Sequence, residues 1–132
     1  MITVLFACVH NAGRSQMAAA FFNQLADRAK ARALSAGTRP AARVHPEVVG
    51  TMMELGIDLS TARPLRLTPE LAASVQFLIT MGCGDECPYV PGVKREDWSV
   101  EDPKGKSEAD VRAIRDEIQQ RVSSLVSREG WR

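Results

Sequence analysis

Apolar runs of strand length alternate along the chain with stretches in which apolar residues recur at helical spacing. The strand-type runs are residues 2–7, 33–37 and 75–81. The helical patterns cover residues 15–31, 46–55, 68–74 and 107–127. Residues 57–59 are expected to form a further strand or an extended link. Strands alternating with helices predict an α/β fold with a small parallel sheet and helices on both faces.

Two cysteines follow the clearest strand-type runs. Cys8 comes directly after the first run, and Cys83 comes two residues after the run that ends at Met81. Because ligands of parallel sheets bind beyond the carboxyl ends of the strands, both cysteines are expected at one rim of the sheet. Residues 84–106 form a connection that is long for a compact domain, and connections of this length are usually functional.

The loop between the first strand and the first helix has the composition of an anion site. Its backbone amides and the unpaired amides of the helix start can surround an oxyanion, and Asn11 and Gly13 both tolerate the turns this requires. The positive field there favours the thiolate of Cys8, which is the nucleophilic form. Arg14 adds a fixed charge and a planar fork for two oxygens of a tetrahedral anion.

Composition limits the class of protein. The 132 residues suit one domain, with 45% hydrophobic and 25% charged residues and a formal net charge of +1. This balance gives no reason to expect nucleic acid or a membrane as a partner. The first strand starts at residue 2, which leaves no room for a signal peptide, so we expect a cytoplasmic protein. Three cysteines in a reducing compartment are more typical of chemistry than of a disulfide framework.

The loop also resembles a known family. Its C-x5-R-S pattern is that of cysteine-dependent phosphatases, in the early-loop form of the low-molecular-weight group. Its continuation, Arg14-Ser15-Gln16-Met17-Ala18, resembles the thiol-dependent arsenate reductases on that fold, whereas the phosphatases usually have proline at the position of Gln16. The resemblance covers essentially the whole chain, residues 1–132. It implies three layers, with a four-stranded parallel sheet between helices.

The resemblance implies a set of roles for an arsenate reductase. Cys8 would attack arsenate, Ser15 would stabilise the thiolate, and Asp102 of the Asp102-Pro103 pair would be the general acid. Cys83 resembles the resolving cysteine, Cys87 could take the disulfide from it, and thioredoxin would reduce that disulfide. No cofactor and no metal are implied. The anion-binding residues would be Val9, His10, Asn11, Ala12, Gly13, Arg14 and Ser15.

Three alternatives are weighed against this relay. Only three residues separate Cys83 from Cys87, so a small thiol such as mycothiol or glutathione, with a glutaredoxin-like protein, could resolve the arsenic adduct instead. A phosphomonoesterase is disfavoured by Gln16 and by Lys104, where phosphatases usually carry an aromatic residue after Asp-Pro. A thiol sensor or zinc site is disfavoured because the cysteine and histidine spacing matches no zinc site.

Overall fold

A four-stranded parallel sheet forms the centre of the molecule, with the spatial order β2-β1-β3-β4. The structure is a computed structural model, and it describes residues 1–83 and 87–132. The strands are β1 (Ile2–Cys8), β2 (Ala31–Gly37), β3 (Phe77–Thr80) and β4 (Lys94–Asp97). The prediction of a parallel α/β sheet is confirmed. Its order places the carboxyl ends of β1 and β3 side by side.

Four helices accompany the sheet in the described residues. They are α1 (Arg14–Leu25), α2 (Pro46–Met53), α3 (Pro69–Ala73) and α4 (Glu108–Glu129). Two of them have side-chain caps at their N-termini: the Thr68 hydroxyl accepts the amide of Leu71, and the Ser107 hydroxyl accepts the amide of Asp110. Within residues 1–83 and 87–132, none of these helices has the length and apolarity needed to cross a membrane.

The two faces of the sheet carry separate apolar clusters, because successive side chains of a strand point to opposite faces. Val4, Phe6 and Cys8 of β1 belong to the larger cluster, which also takes in buried residues of α1, α2 and α4. Leu5 and Ala7 belong to a smaller cluster on the other face, completed by α3 and the residues that follow β3. Helices therefore lie on both faces, as expected, but most of the core is on the Cys8 face.

The fourth strand lies outside the apolar runs of the sequence. Of the two alternatives expected for residues 57–59, the strand is absent: these residues are a link between elements, and Leu59 is buried in the larger cluster. The strand that pairs with β3 is β4, whose sequence KRED lies inside the stretch interpreted as one long connection. It is a charged edge strand with no buried residue, and it therefore lacks the apolar pattern from which strands are predicted.

The first helix is also shorter than its pattern predicts. It ends at Leu25 rather than near residue 31, and Ala26 already has an extended conformation. Asp27 makes the turn that follows: its carboxylate accepts the amide of Ala29, and its carbonyl accepts the amides of Lys30 and Ala31. This turn leads the chain directly into β2.

Candidate active site

The loop after β1 is fixed by hydrogen bonds from one neighbouring segment to its carbonyl groups. Four amides of residues 38–45 hold these carbonyls: Thr38 to Cys8 (3.2 Å), Arg39 to Val9 (2.8 Å), Ala41 to His10 (2.9 Å) and His45 to Ala12 (2.9 Å). The amides of residues 10–13 donate no hydrogen bond to any described residue. Together with the first-turn amides of α1, they can act as donors to an oxyanion.

Asn11 is the centre of the loop's side-chain network. It is fully buried and has φ 50°, which is the left-handed conformation that asparagine tolerates. Its carboxamide oxygen accepts the amide of Leu65 (2.9 Å) and a hydrogen bond from Gln16 Nε2 (3.2 Å). Gln16 Nε2 also donates to the carbonyl oxygen of Arg63 at 3.2 Å. Residues 63–65 therefore support the loop of residues 9–13, which we call the anion loop, from its outer side.

The hydrogen-bond network of Asn11 extends through Ser15 to the thiol of Cys8. Asn11 Nδ2 donates to Ser15 Oγ at 2.6 Å, and Ser15 Oγ lies 2.8 Å from Cys8 Sγ. Because the Ser15 oxygen already accepts from Asn11, its own proton is free to point toward the sulfur. The Ser15 hydroxyl is therefore placed to donate a hydrogen bond to Cys8 Sγ. The sulfur is also buried, with 2% of the residue exposed.

Gly37, the last residue of β2, is required by the close approach of the loop. A Cβ atom on residue 37 would lie 2.6 Å from the Val9 carbonyl oxygen and 2.9 Å from the Asn11 amide nitrogen. Both are backbone atoms that cannot easily move, so a side chain there would displace the loop. Gly37 was not among the predicted site residues; the signal in the sequence is a glycine at the end of a strand-type run, like the position of Cys8.

Arg14 and Asp102 meet at the rim of the site. The Arg14 guanidinium donates through Nη1 to the Val100 carbonyl (3.2 Å), and its Nη2 lies 3.7 Å from Asp102 Oδ2. Asp102 also accepts the amide of Lys104 at 3.0 Å, which fixes the carboxylate in its turn. The next residue, Pro103, packs so closely on Gly13 that a Cβ there would lie 2.9 Å from the proline ring. The Asp102-Pro103 pair therefore lies directly against the anion loop.

Asp97 serves as a structural carboxylate near the same rim. It accepts a hydrogen bond from the Thr80 hydroxyl and one from Arg95 Nε (3.0 Å). The Thr80 hydroxyl, with Arg95 second, lowers the pKa of Asp97 below its usual range. These bonds join the carboxyl ends of β3 and β4. They engage Asp97 and leave Asp102 as the carboxylate in contact with Arg14.

Cys83 and Cys87 are joined by a disulfide, with their Cα atoms 5.7 Å apart. The pairing that the relay scheme required is therefore confirmed, and Cys8 is a free, buried cysteine. Both disulfide sulfurs belong to the smaller apolar cluster, on the face of the sheet opposite to Cys8. Cys83 Sγ lies 4.0 Å from the Ala7 carbonyl oxygen, a contact and not a hydrogen bond, because a disulfide sulfur carries no proton.

The structure thus divides the sequence-predicted residues into two groups. Cys8, Arg14, Ser15 and Asp102 lie together around the loop formed by Val9, His10, Asn11, Ala12 and Gly13. Cys83 and Cys87 lie at the carboxyl end of the neighbouring strand but on its other face, and residues 84–86 between them are outside the described residues. The contacts of Gln16 with Arg63 and of Gly82 with Arg14 could not be predicted from the sequence, because each joins segments far apart in the chain.

The α/β fold brings together a cysteine at the end of a parallel strand, a short loop and an arginine in the first turn of the next helix. This is the arrangement that a thiol-based oxyanion site requires. The model of the family described as low molecular weight phosphotyrosine protein phosphatase matches residues 3–87, and this chain belongs to that family. Its similarity to proteins named as arsenate reductases places it in the branch that contains them. The resemblance drawn from the loop is confirmed.

Three of these relatives cover nearly all of the chain. A Halobacterium salinarum protein with the provisional name arsenate reductase is 41% identical in an alignment of 124 residues that covers 91% of this chain and 87% of that protein. A Synechocystis protein named glutaredoxin arsenate reductase is 34% identical in an alignment of 131 residues that covers 97% of this chain and 98% of that protein. The solved structure of a thioredoxin-dependent arsenate reductase from Corynebacterium glutamicum is 38% identical, with a TM-score of 0.83. It covers 96% of this chain, which spans 61% of that longer protein.

Proposed function

We propose that this protein is an arsenate reductase that converts arsenate to arsenite through its own three cysteines. The observation that carries the proposal is the combination of an oxyanion loop around the free Cys8 with a Cys83–Cys87 disulfide at the adjacent strand end. A phosphatase needs only the loop, whereas reduction of arsenic needs two further electrons from thiols. The relatives named as arsenate reductases support the same reaction.

The first step uses the anion loop. The amides of residues 9–15 and the Arg14 guanidinium hold the tetrahedral arsenate, and the Cys8 thiolate attacks the arsenic. An arsenic–sulfur bond forms and one arsenic–oxygen bond breaks. Asp102, 3.7 Å from Arg14 at the rim, gives its proton to the departing hydroxyl, which leaves as water. Ser15 stabilises the thiolate before the attack through its 2.8 Å contact with the sulfur.

The second step reduces the arsenic. The Cys83 thiolate attacks Cys8 Sγ, a disulfide forms, and the electron pair of the arsenic–sulfur bond returns to arsenic, which leaves as arsenite. Cys87 then attacks Cys83, so that Cys8 is released as a thiolate and a Cys83–Cys87 disulfide is formed. The Cys83–Cys87 disulfide and free Cys8 of the structure correspond to the state after this last exchange. Reduction of that disulfide has to precede the next turnover, because Cys83 must again be a thiolate.

This sequence of exchanges requires Cys83 to change faces. Its sulfur packs in the cluster opposite to Cys8 in the disulfide form, so the residues after β3 have to turn before Cys83 reaches the arsenic adduct. Gly82 precedes it with φ +100°, a conformation that glycine adopts freely. A backbone rotation at this position moves the sulfur without disturbing β3.

Thioredoxin is the partner we propose for closing the cycle. A dithiol protein reduces an internal disulfide by exchange, and the Corynebacterium glutamicum protein similar to this chain is named as thioredoxin-dependent. The name of the Synechocystis relative points to glutaredoxin, which would act with glutathione or mycothiol. Either reductant requires a reducing compartment, so we place the reaction in the cytoplasm.

The test measures arsenite formation with a thioredoxin system, in parallel with hydrolysis of a small aryl phosphate. Wild type should form arsenite, whereas Cys8→Ser should form none because its hydroxyl does not ionise as a thiol does. Arg14→Lys should also fail, since an ammonium lacks the two-point fork. Arg66→Lys, an exposed arginine outside the loop, is the matched control. Arsenite formation by Cys8→Ser, or a wild type that only hydrolyses the phosphate ester, would overturn the proposal.

A further inference from the structure

Gly82 lies directly under the guanidinium of Arg14. It follows β3 by two residues, precedes Cys83, and has φ +100°. A Cβ atom built on Gly82 would lie 2.2 Å from Arg14 Nη1, 3.1 Å from Cζ and 3.5 Å from Nη2. The guanidinium therefore occupies the space that any other side chain at position 82 would fill.

The same guanidinium is also held by residues 100–102. Its Nη1 donates to the Val100 carbonyl at 3.2 Å, and its Nη2 faces Asp102 at 3.7 Å. Only 10% of the Arg14 side chain is exposed. Three segments distant in sequence, the start of α1, the end of β3 and residues 100–102, thus meet at this one group.

The obstacle that a Cβ would meet is the far end of a flexible side chain and not backbone. A methyl group at position 82 can therefore be accommodated if the guanidinium moves away, which leaves the sheet and the loop unchanged. Gly37 is the opposite case, because the atoms that a Cβ would meet there belong to the backbone of the loop. A side chain at position 82 would consequently affect anion binding much more than it affects folding.

We propose that Gly82 is a positioning residue for the oxyanion site, since its missing side chain gives the Arg14 guanidinium its place beside the loop. This rests on the anion-binding role proposed for Arg14. It also means that the residue next to the resolving Cys83 sets the position of the anion-binding arginine. The backbone at Gly82 then affects both the movement of Cys83 toward Cys8 and the position of Arg14 in the anion site.

The test is the affinity of the protein for inorganic phosphate, measured by calorimetry in the Cys83–Cys87 disulfide form. Gly82→Ala is compared with Gly92→Ala, because Gly92 has a similar φ of +87° but nothing within 4 Å of its Cβ position. Both substitutions place alanine in a left-handed conformation and should lower the unfolding temperature to a similar extent. Only Gly82→Ala should weaken phosphate binding, by about 10-fold or more, since a displaced guanidinium loses its charged hydrogen bonds.

Arg14→Ala supplies the second comparison. If the methyl group acts by displacing Arg14, adding Gly82→Ala to Arg14→Ala should change phosphate affinity no further. Should Gly82→Ala not fold by itself, it should still fold in the Arg14→Ala chain, and failure there would overturn the proposal. Wild-type affinity in Gly82→Ala, or additive losses in the double variant, would overturn the positioning role alone. A wild type that does not bind phosphate would overturn the proposed oxyanion site itself.

Discussion

At the scale of single residues, the chemistry of Cys8 depends on which atoms the hydrogen bonds leave free. Asn11 donates to the Ser15 oxygen, and this leaves the Ser15 proton for the sulfur. The sequence could predict Cys8, Arg14 and Ser15 because they belong to one short motif. It could not predict the supports of the loop, since Gln16 reaches Arg63 across 47 positions of the chain. Motifs show the groups that react, and the fold determines what holds them.

The general-acid role of Asp102 is a prediction at this scale. Asp102→Asn should slow formation of the arsenic adduct by about 100-fold at neutral pH, because an amide cannot protonate the leaving hydroxyl. Affinity for arsenate should be unchanged or improved, since a negative charge 3.7 Å from Arg14 is removed. Rapid-quench single turnovers measure the rate.

The control for this experiment is Glu101→Gln, which removes the neighbouring carboxylate. Glu101 is paired with Lys106 Nζ at 2.6 Å and should not protonate the leaving group. Equal adduct rates in wild type and Asp102→Asn would assign the proton to water or to another residue.

At the scale of elements, the carboxylate of Glu54 joins the end of α2 to α4. It makes a two-point pair with Arg112 (Nη2 to Oε2, 2.7 Å) and a second pair with Arg115 Nη1 at 2.9 Å. Arg115 Nη1 also donates to the Thr51 carbonyl at 2.8 Å, so it satisfies the last turn of α2. His45, the residue that precedes α2, donates its backbone amide to the carbonyl of Ala12 in the loop after β1. The cluster of Glu54, Arg112 and Arg115 therefore holds α2 against α4, and α2 directly follows the residue that contacts the loop after β1.

The cluster predicts how stability depends on pH. The bond from Arg112, followed by that from Arg115, lowers the pKa of Glu54 from 4.5 to about 2. A lowered pKa in the folded state stabilises the protein above pH 4.5, and this contribution is lost as the pH falls from 4.5 toward 2. Glu54→Gln should therefore be less stable than wild type at neutral pH, with a difference that shrinks through that acid range.

Urea unfolding at a series of pH values measures this difference. Glu70→Gln, which removes an exposed carboxylate from α3, is the control and should leave the pH profile of wild type unchanged. A stability difference between Glu54→Gln and wild type that stays constant from neutral pH to below 4.5 would contradict the account.

Elements with an apolar face could be predicted from the sequence, and those without one could not. The sequence pattern predicts β1, β3 and α4 because their buried residues recur at strand or helix spacing. It does not predict β4, because Lys94 to Asp97 are all charged and pair along one edge. The helical pattern of α1 extends beyond the true end of the helix, because Asp27 forms a turn through hydrogen bonds to backbone amides, and the spacing of apolar residues does not reveal such bonds.

At the scale of the whole molecule, the sheet separates the reacting sulfurs. Strand order places Cys8 and Cys83 at adjacent strand ends, and the two residues belong to apolar clusters on opposite faces of the sheet. The sequence predicted the adjacency, because both cysteines follow parallel strands. It could not predict the faces, which depend on the turn at Gly82 after β3. The same arrangement explains how Cys8 is kept free in a protein that also contains an internal disulfide.

The measurement that tests the relay most directly is one arsenate turnover without added thiol, followed by peptide mapping of the disulfides. It compares fully reduced wild type, Cys83→Ser and Cys87→Ser. Wild type should release arsenite and contain the Cys83–Cys87 disulfide of the structure. Cys83→Ser should stop at the arsenic adduct on Cys8, and Cys87→Ser should release arsenite and stop with Cys8 bonded to Cys83. Wild type that releases no arsenite until glutathione or mycothiol is added would contradict the relay.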